Sequence, residues 1–258
     1  MKKLLAVILA ALMVLSMAAC AKQAAAPAGQ SVKTVQAGKL IMATNAAFPP
    51  YEFIADDGKT ITGIDAEIAK MVADELGLEL QIEDVEFASI LTAVQTGKAD
   101  IGLAGLTITE ERLQNVNFSS VYAKGVQSII VPEGSSIASA DDLPGHMIGV
   151  QESTTGHIYC EDDFGADSVV AFPNGANAVE ALKSGKVDCV VIDNNPAKEF
   201  VKANEGLKLL DTTYVEEDYA AAMAKDNEEL LKKFNEILDK KIADGTVQKI
   251  LDKYIAAN

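Results

Sequence analysis

A nine-residue segment occurs twice in this chain, 88 positions apart. Residues 93–101 (Ala-Val-Gln-Thr-Gly-Lys-Ala-Asp-Ile) overlie residues 181–189 (Ala-Leu-Lys-Ser-Gly-Lys-Val-Asp-Cys). Each copy reads as a helix end, a glycine cap, a Lys-x-Asp step and the start of a buried strand. A helix that stops on glycine and runs at once into an apolar strand belongs to an alternating α/β architecture. Its duplication predicts two related units of that kind. Carried forward, the overlay sets Gly105 on Asp193, each at the carboxyl end of its strand. Ligands of open α/β sheets collect at such ends, so the repeat predicts a site where two of them face each other.

The rest of the chain fits that frame. Residues 38–45 read as an apolar strand with a polar end. Ile64, Ile68, Met71, Val72 and Leu76 make the stripe of an amphipathic helix, closed by Gly77. Residues 78–85 suggest a strand; Phe87, Ile90, Leu91 and Val94 mark a helix closed by Gly97; residues 99–106 read as a short buried strand. Strand and helix alternate, which predicts mostly parallel sheets covered by helices. Near the C-terminus, a stripe from Leu230 to Ile242 and another from Val247 to Tyr254, broken by Gly245, predict two scaffold helices.

The N-terminus is expected to be processed. Lys2 and Lys3 precede an apolar run over residues 4–18, followed by small residues and Cys20. That is the pattern of an export signal, and its end resembles a lipobox, which implies cleavage before Cys20 and lipidation of its sulfur. Residues 20–37, rich in Ala, Gln, Pro, Gly and Ser, read as a flexible tether. The 22 Lys and Arg against 38 Asp and Glu give a net charge of −16, which disfavours nucleic acid and anionic lipid as partners. Cys160 and Cys189 match no zinc spacing. Export permits a disulfide between them, and two separate core cysteines are the other reading. No metal or cofactor is expected.

Arg112 is the one arginine among the 22 basic residues. A guanidinium offers a planar pair of donors that matches a carboxylate, a geometry lysine cannot copy. Thr109, Glu110 and Glu111 before it read as a helix start. Asp193 ends a strand over residues 187–192 and is the candidate partner for an ammonium; a turn or helix cap is its plainer role. At 149–156, a strand runs into Gln151, Glu152, Ser153, Thr154, Thr155 and Gly156. A helix opening there would present free amides to an anion. Asn45, Phe48, the prolines and Tyr51 form a loop able to wall an apolar pocket, while Phe53 reads as core.

Taken in order, residues 43–53, 63–69, 106–112, 149–155 and 187–193 resemble the polar-amino-acid family of solute-binding proteins of ABC importers, over roughly residues 38–258. The resemblance implies two lobes joined by a two-stranded hinge, with residues 38–124 and 215–258 in lobe 1 and 125–214 in lobe 2. It implies that Arg112 holds the α-carboxylate of a free amino acid, helped by the amides of Thr107 and Thr155. Asp193, the Gly105 carbonyl and the Thr107 hydroxyl would meet the α-ammonium. Phe48 and Phe87 would sandwich the side chain, Asn45 and Gln151 would face its tip, and Ser153 and Thr154 would line the opposite lobe. Basic-amino-acid members often carry an acid at the place of Asn45 and hydroxyls near Ala104 and Gly105. Their absence here points to a neutral polar ligand, with a basic one still allowed. The implied protein is a monomeric lipoprotein on the outer face of the membrane that hands its ligand to ABC permease subunits, with no catalytic residues. The alternative is a cleft enzyme of the same fold, for which His157 and Glu152 are the candidate groups. A sensor domain would require a membrane helix and signalling module that the sequence does not contain.

Overall fold

The computed structural model describes residues 32–255. Residues 40–44 are buried on both faces because β1 (Lys39–Thr44) lies inside a sheet. The elements that follow it are β2 (Ala47–Phe48), β3 (Glu52–Ile54), β4 (Ile61–Thr62), α1 (Ile64–Leu76), β5 (Glu79–Asp84), α2 (Ile90–Gln95), β6 (Ile101–Gly102), α3 (Glu110–Asn115) and β7 (Val116–Phe118). With β14 (Ala222–Ala224), which arrives from the far end of the chain, they build a sheet of order β5-β1-β6-β14-β7. β1 pairs in parallel with β5 and β6, and β14 runs antiparallel to its neighbours. β2, β3 and β4 form a separate small sheet.

α1 buries Ile64, Ile68 and Val72 from its apolar stripe, and Gly77 closes it in the left-handed region. Gly63, before the helix, has φ +123, and a Cβ there would stand 2.2 Å from the Tyr51 carbonyl oxygen. Only glycine lets the head of α1 press against the Phe48–Tyr51 loop.

A second sheet takes the middle of the chain. β8 (Ala123–Pro132), β9 (Ile148–Gln151), α4 (Thr155–Phe164), β10 (Val169–Phe172), α5 (Gly175–Lys183), β11 (Cys189–Asp193), α6 (Asn194–Ala203), β12 (Leu207–Leu209) and β13 (Val215–Tyr219) give the order β10-β9-β11-β8-β12, with β13 also on β8. β9, β10 and β11 are parallel. The molecule is therefore a two-lobe α/β fold with helices on mostly parallel sheets. The chain passes between the sheets along β8 and β13, antiparallel from Val215 opposite Gln127 to Tyr219 opposite Ala123. α7 (Glu228–Ala243) and α8 (Thr246–Tyr254) then pack beside α1, burying Leu230, Phe234 and Leu238.

The repeat is a structural one. Asp100 donates its N–H to the Ile41 carbonyl and accepts the Ile41 N–H on its carboxylate, each at 2.8 Å. Asp188 does the same with Met147, again at 2.8 Å in both directions. In each lobe the Lys-x-Asp step ties a new strand to the strand beside it. The strand expected over 99–106 is shorter than its apolar run: only Ile101–Gly102 pairs. The chain leaves the sheet at Gly105, in the left-handed region at φ +53, where a Cβ would meet the Phe48 ring at 3.0 Å. Cys160 and Cys189 are free, buried thiols in the second lobe's core.

Candidate functional site

The carboxyl ends of β6 and β11 face each other across a small, nearly closed cavity. Asn45, Phe48, Phe87, Gly105, Thr107 and Arg112 line it from the first lobe, and Gln151, Thr154, Thr155 and Asp193 from the second. Ser153 is the expected residue that does not line it: its side chain is exposed, and its carbonyl instead reaches Arg112. Phe53, expected as core, is half-buried and packs edge-on to Tyr254, 6.2 Å between ring centres.

Arg112 is placed by a short helix. Thr109 caps α3, its hydroxyl accepting the Arg112 N–H at 3.1 Å. The guanidinium donates from Nη1 to the Thr107 carbonyl (2.8 Å) and from Nη2 to the Ser153 carbonyl (3.1 Å), and lies 5.6 Å from the Phe87 ring centre. A guanidinium has five N–H donors, so two such bonds fix its plane and leave others for an anion. It is 8 % exposed. Burial lowers its pKa, and nearby Glu217 opposes that shift.

Asp193 stands at the N-cap position of α6 but makes no capping bond with its side chain, so side-chain capping does not account for it. Its carboxylate accepts the Tyr219 hydroxyl. Tyr219 lies on β13, so one of the two crossing strands touches the site directly. Burial first, and then Glu217, push the Asp193 carboxyl above its ordinary value. A buried acid held in this way is strongly relieved by a cation.

The two halves meet through further polar pairs. Gln151 Nε2 donates to Asn45 Oδ1 at 3.2 Å, Asn195 Nδ2 donates to the Tyr51 hydroxyl at 3.1 Å, and the Thr107 and Thr155 hydroxyls are 3.5 Å apart. Thr154 caps α4 by accepting the His157 N–H at 3.2 Å, which is the helix opening expected at this loop. Ser153 is the one non-glycine residue with positive φ (63°) among those described. Its N–H donates to His157 Nδ1 at 3.2 Å, and His157 Nε2 lies 3.2 Å from Glu161. His157 therefore braces a strained loop, Glu152 is exposed, and neither lines the cavity. The groups considered for catalysis are not assembled in the cleft.

Several residues at the site were not singled out from the sequence. Tyr219, Gln127 and Glu217 belong to the crossing strands; Gln127 donates to Glu217 at 2.9 Å. Glu52 lines the cavity and is fully buried. Only the inward side of β3 separates it from an ordinary strand glutamate, and a three-residue strand gives too little alternation to read. Among the described residues, no group of three or more His, Cys, Asp or Glu could hold a metal ion, and no helix is long and apolar enough to cross a membrane.

Residues 40–257 match the profile of the bacterial extracellular solute-binding proteins, family 3. The chain is 32 % identical over 264 residues to the arginine-binding extracellular protein ArtP of Bacillus subtilis (strain 168), covering 98 % of each. Among solved structures it is similar to an ancestral arginine-binding protein bound to arginine, with TM-score 0.80 and 40 % identity over 85 % of this chain and 99 % of that one. An ancestral arginine-binding protein bound to glutamine gives 0.81 and 39 % over 86 % and 100 %.

Proposed function

Because this chain belongs to the bacterial extracellular solute-binding proteins, family 3, which are binding proteins and not enzymes, we propose that it captures a free amino acid between its lobes and delivers it to an ABC importer. One observation carries this reading. The chain's single guanidinium and a buried aspartate line the same small cavity from opposite lobes. An amino acid carries the two complementary charges a short distance apart, so it fills that gap as no singly charged solute does.

In this reading Arg112 takes the α-carboxylate with the Thr107 and Thr155 amides. Asp193 takes the α-ammonium with the Gly105 carbonyl and Thr107 hydroxyl. Phe48 and Phe87 flank the side chain, Asn45 and Gln151 meet its polar end, and Thr154 and Ser153 order the loop of the second lobe. Residues 38–124 and 215–258 move as one lobe against 125–214 about β8 and β13. Closure follows from contacts that the ligand makes only with both lobes together. Family members act outside the cytoplasm; for this chain we propose anchoring through lipidated Cys20, which lies outside the described residues.

Relatives named for arginine and glutamine, and ancestral arginine-binding proteins seen with each of them, support a polar side chain with nitrogen at its end. A thermal-shift screen of the twenty amino acids tests the function: a ligand held only by the native state raises the melting temperature. Stabilisation by none of them would remove the proposal.

A further inference from the structure

Beneath the cleft lie two carboxyl groups. Glu52, at the start of β3, and Asp65, in the first turn of α1, are both fully buried. Asp65 Oδ2 accepts the Gly105 N–H at 2.8 Å and the Tyr122 hydroxyl at 2.9 Å. Asp65 Oδ1 and both oxygens of Glu52 meet no donor if the two acids are ionised. The two carboxyls are neighbours that act on each other's protonation, and a proton on one of them gives an unmatched oxygen of the other a donor. Glu52 is its carrier, since two donors hold Asp65 as the carboxylate and none holds Glu52. The titratable groups that act most on Glu52 are Asp65, Asp193 and Asp84, and Tyr51 and Tyr122 feel its charge; Arg112, a cation lining the same cavity, gives its guanidinium bonds to the Thr107 and Ser153 carbonyls. Burial, then the charge of Asp65, raise the Glu52 pKa well above the ordinary value.

A proton on Glu52 satisfies Asp65 Oδ1 and one Glu52 oxygen. The other Glu52 oxygen stays unmatched at the wall of the cavity. A buried acceptor without a donor is costly, and the cleft is where a donor can arrive. We propose that Glu52 and Asp65 hold one proton beneath the cleft, and that Glu52 releases it to solvent when the bound amino acid carries a cationic side chain, so that Glu52 admits basic ligands. An amide side chain donates to the free Glu52 oxygen and leaves the proton in place. A guanidinium or ammonium stabilises the carboxylate instead: the Glu52 O–H bond breaks, its electron pair stays on oxygen, and the proton passes to water. The negative charge that Asn45 does not supply comes from Glu52, seven residues later.

The inference rests on the amino-acid reading of the cleft, and calorimetry separates the two. L-arginine and L-glutamine are titrated in two buffers of unlike protonation enthalpy, which counts protons released per ligand. Pairing of the α-ammonium with Asp193 is common to both ligands, so the difference reports Glu52. Arginine is expected to release about one proton more than glutamine. Glu52→Gln, isosteric with the protonated acid, is expected to abolish that difference. It should also weaken arginine at least about tenfold while changing glutamine by less than about threefold; retained glutamine binding shows that the variant is folded. If glutamine does not bind, the proton count and affinity for arginine in wild type and variant carry the test, with a thermal melt reporting the fold. Equal proton counts, unchanged arginine affinity in Glu52→Gln, or glutamine binding without arginine binding overturns the proposal and leaves the cleft reading intact. Binding of no amino acid overturns both.

Discussion

Arg112 is buried, yet two of its bonds go to carbonyl oxygens rather than to a carboxylate. Neutral carbonyls orient a guanidinium without discharging it, which keeps the charge available to a ligand. Lysine would put one ammonium where a plane of donors now stands and could not hold Thr107, Ser153 and a bidentate anion together. Arg112→Lys is expected to weaken amino-acid binding by about 2–5 kcal/mol, read by calorimetry, with little loss of melting temperature in the free protein. Unchanged affinity would take Arg112 out of the site. Gln127, Glu217 and Tyr219 matter at this scale for another reason. They surround Asp193 with a network rooted in β8 and β13, so the protonation of Asp193 and the geometry of the crossing strands are physically connected.

At the scale of elements, the first lobe's share of the site hangs on two chain reversals that only glycine permits. Gly105 turns the chain out of the sheet beside Phe48, and Gly63 lets α1 start against the Tyr51 carbonyl. A methyl group at Gly63 has nowhere to go, since its closest neighbours are backbone atoms and φ is +123. Gly63→Ala is expected to destabilise the protein by about 3 kcal/mol or more, measured by urea unfolding. The same change at Gly58, also at positive φ but in open space, should cost about 1 kcal/mol. Similar losses at both positions would show that the close approach to Tyr51 is not the cause.

For the whole molecule, three buried acids at the cleft have raised pKa values: Asp193, Asp65 and Glu52. Each binds its proton more tightly in the native state than in the unfolded chain. Ligand-free stability therefore falls as pH rises from about 4, the ordinary carboxylate range, through the raised native values. In the proposed site, amino-acid binding runs the other way, because an ammonium placed at Asp193 needs that carboxyl ionised. Affinity is expected to weaken by up to about tenfold per pH unit below the native value, and titrations between about pH 5 and pH 8 test this. Affinity flat across that range would mean Asp193 is already ionised in the free protein. Export and anchoring belong to this scale too. Cys20→Ser is expected to move the protein from the membrane to the soluble fraction on fractionation, and full retention of the variant would rule out lipidation there.

The local pattern of residues was enough for the alternation of strand and helix, the glycine caps at 77 and 97 and the duplicated Lys-x-Asp step. These depend on periodicity and short-range hydrogen bonds, which neighbouring residues control. Arg112 and Asp193 were legible for a related reason: one is unique in type, and the repeat placed the other at a strand end. Ala99–Leu106 looked like a strand throughout because burial and pairing both favour apolar residues, yet only two of those residues pair. Glu52, Tyr219, Gln127 and Glu217 gave no sign at all. A buried acid is written with the same letter as a solvated one, and what buries it is packing between segments far apart in the chain. Only the assembled molecule decides which carboxyls lose their water, and with it which of them keep a proton.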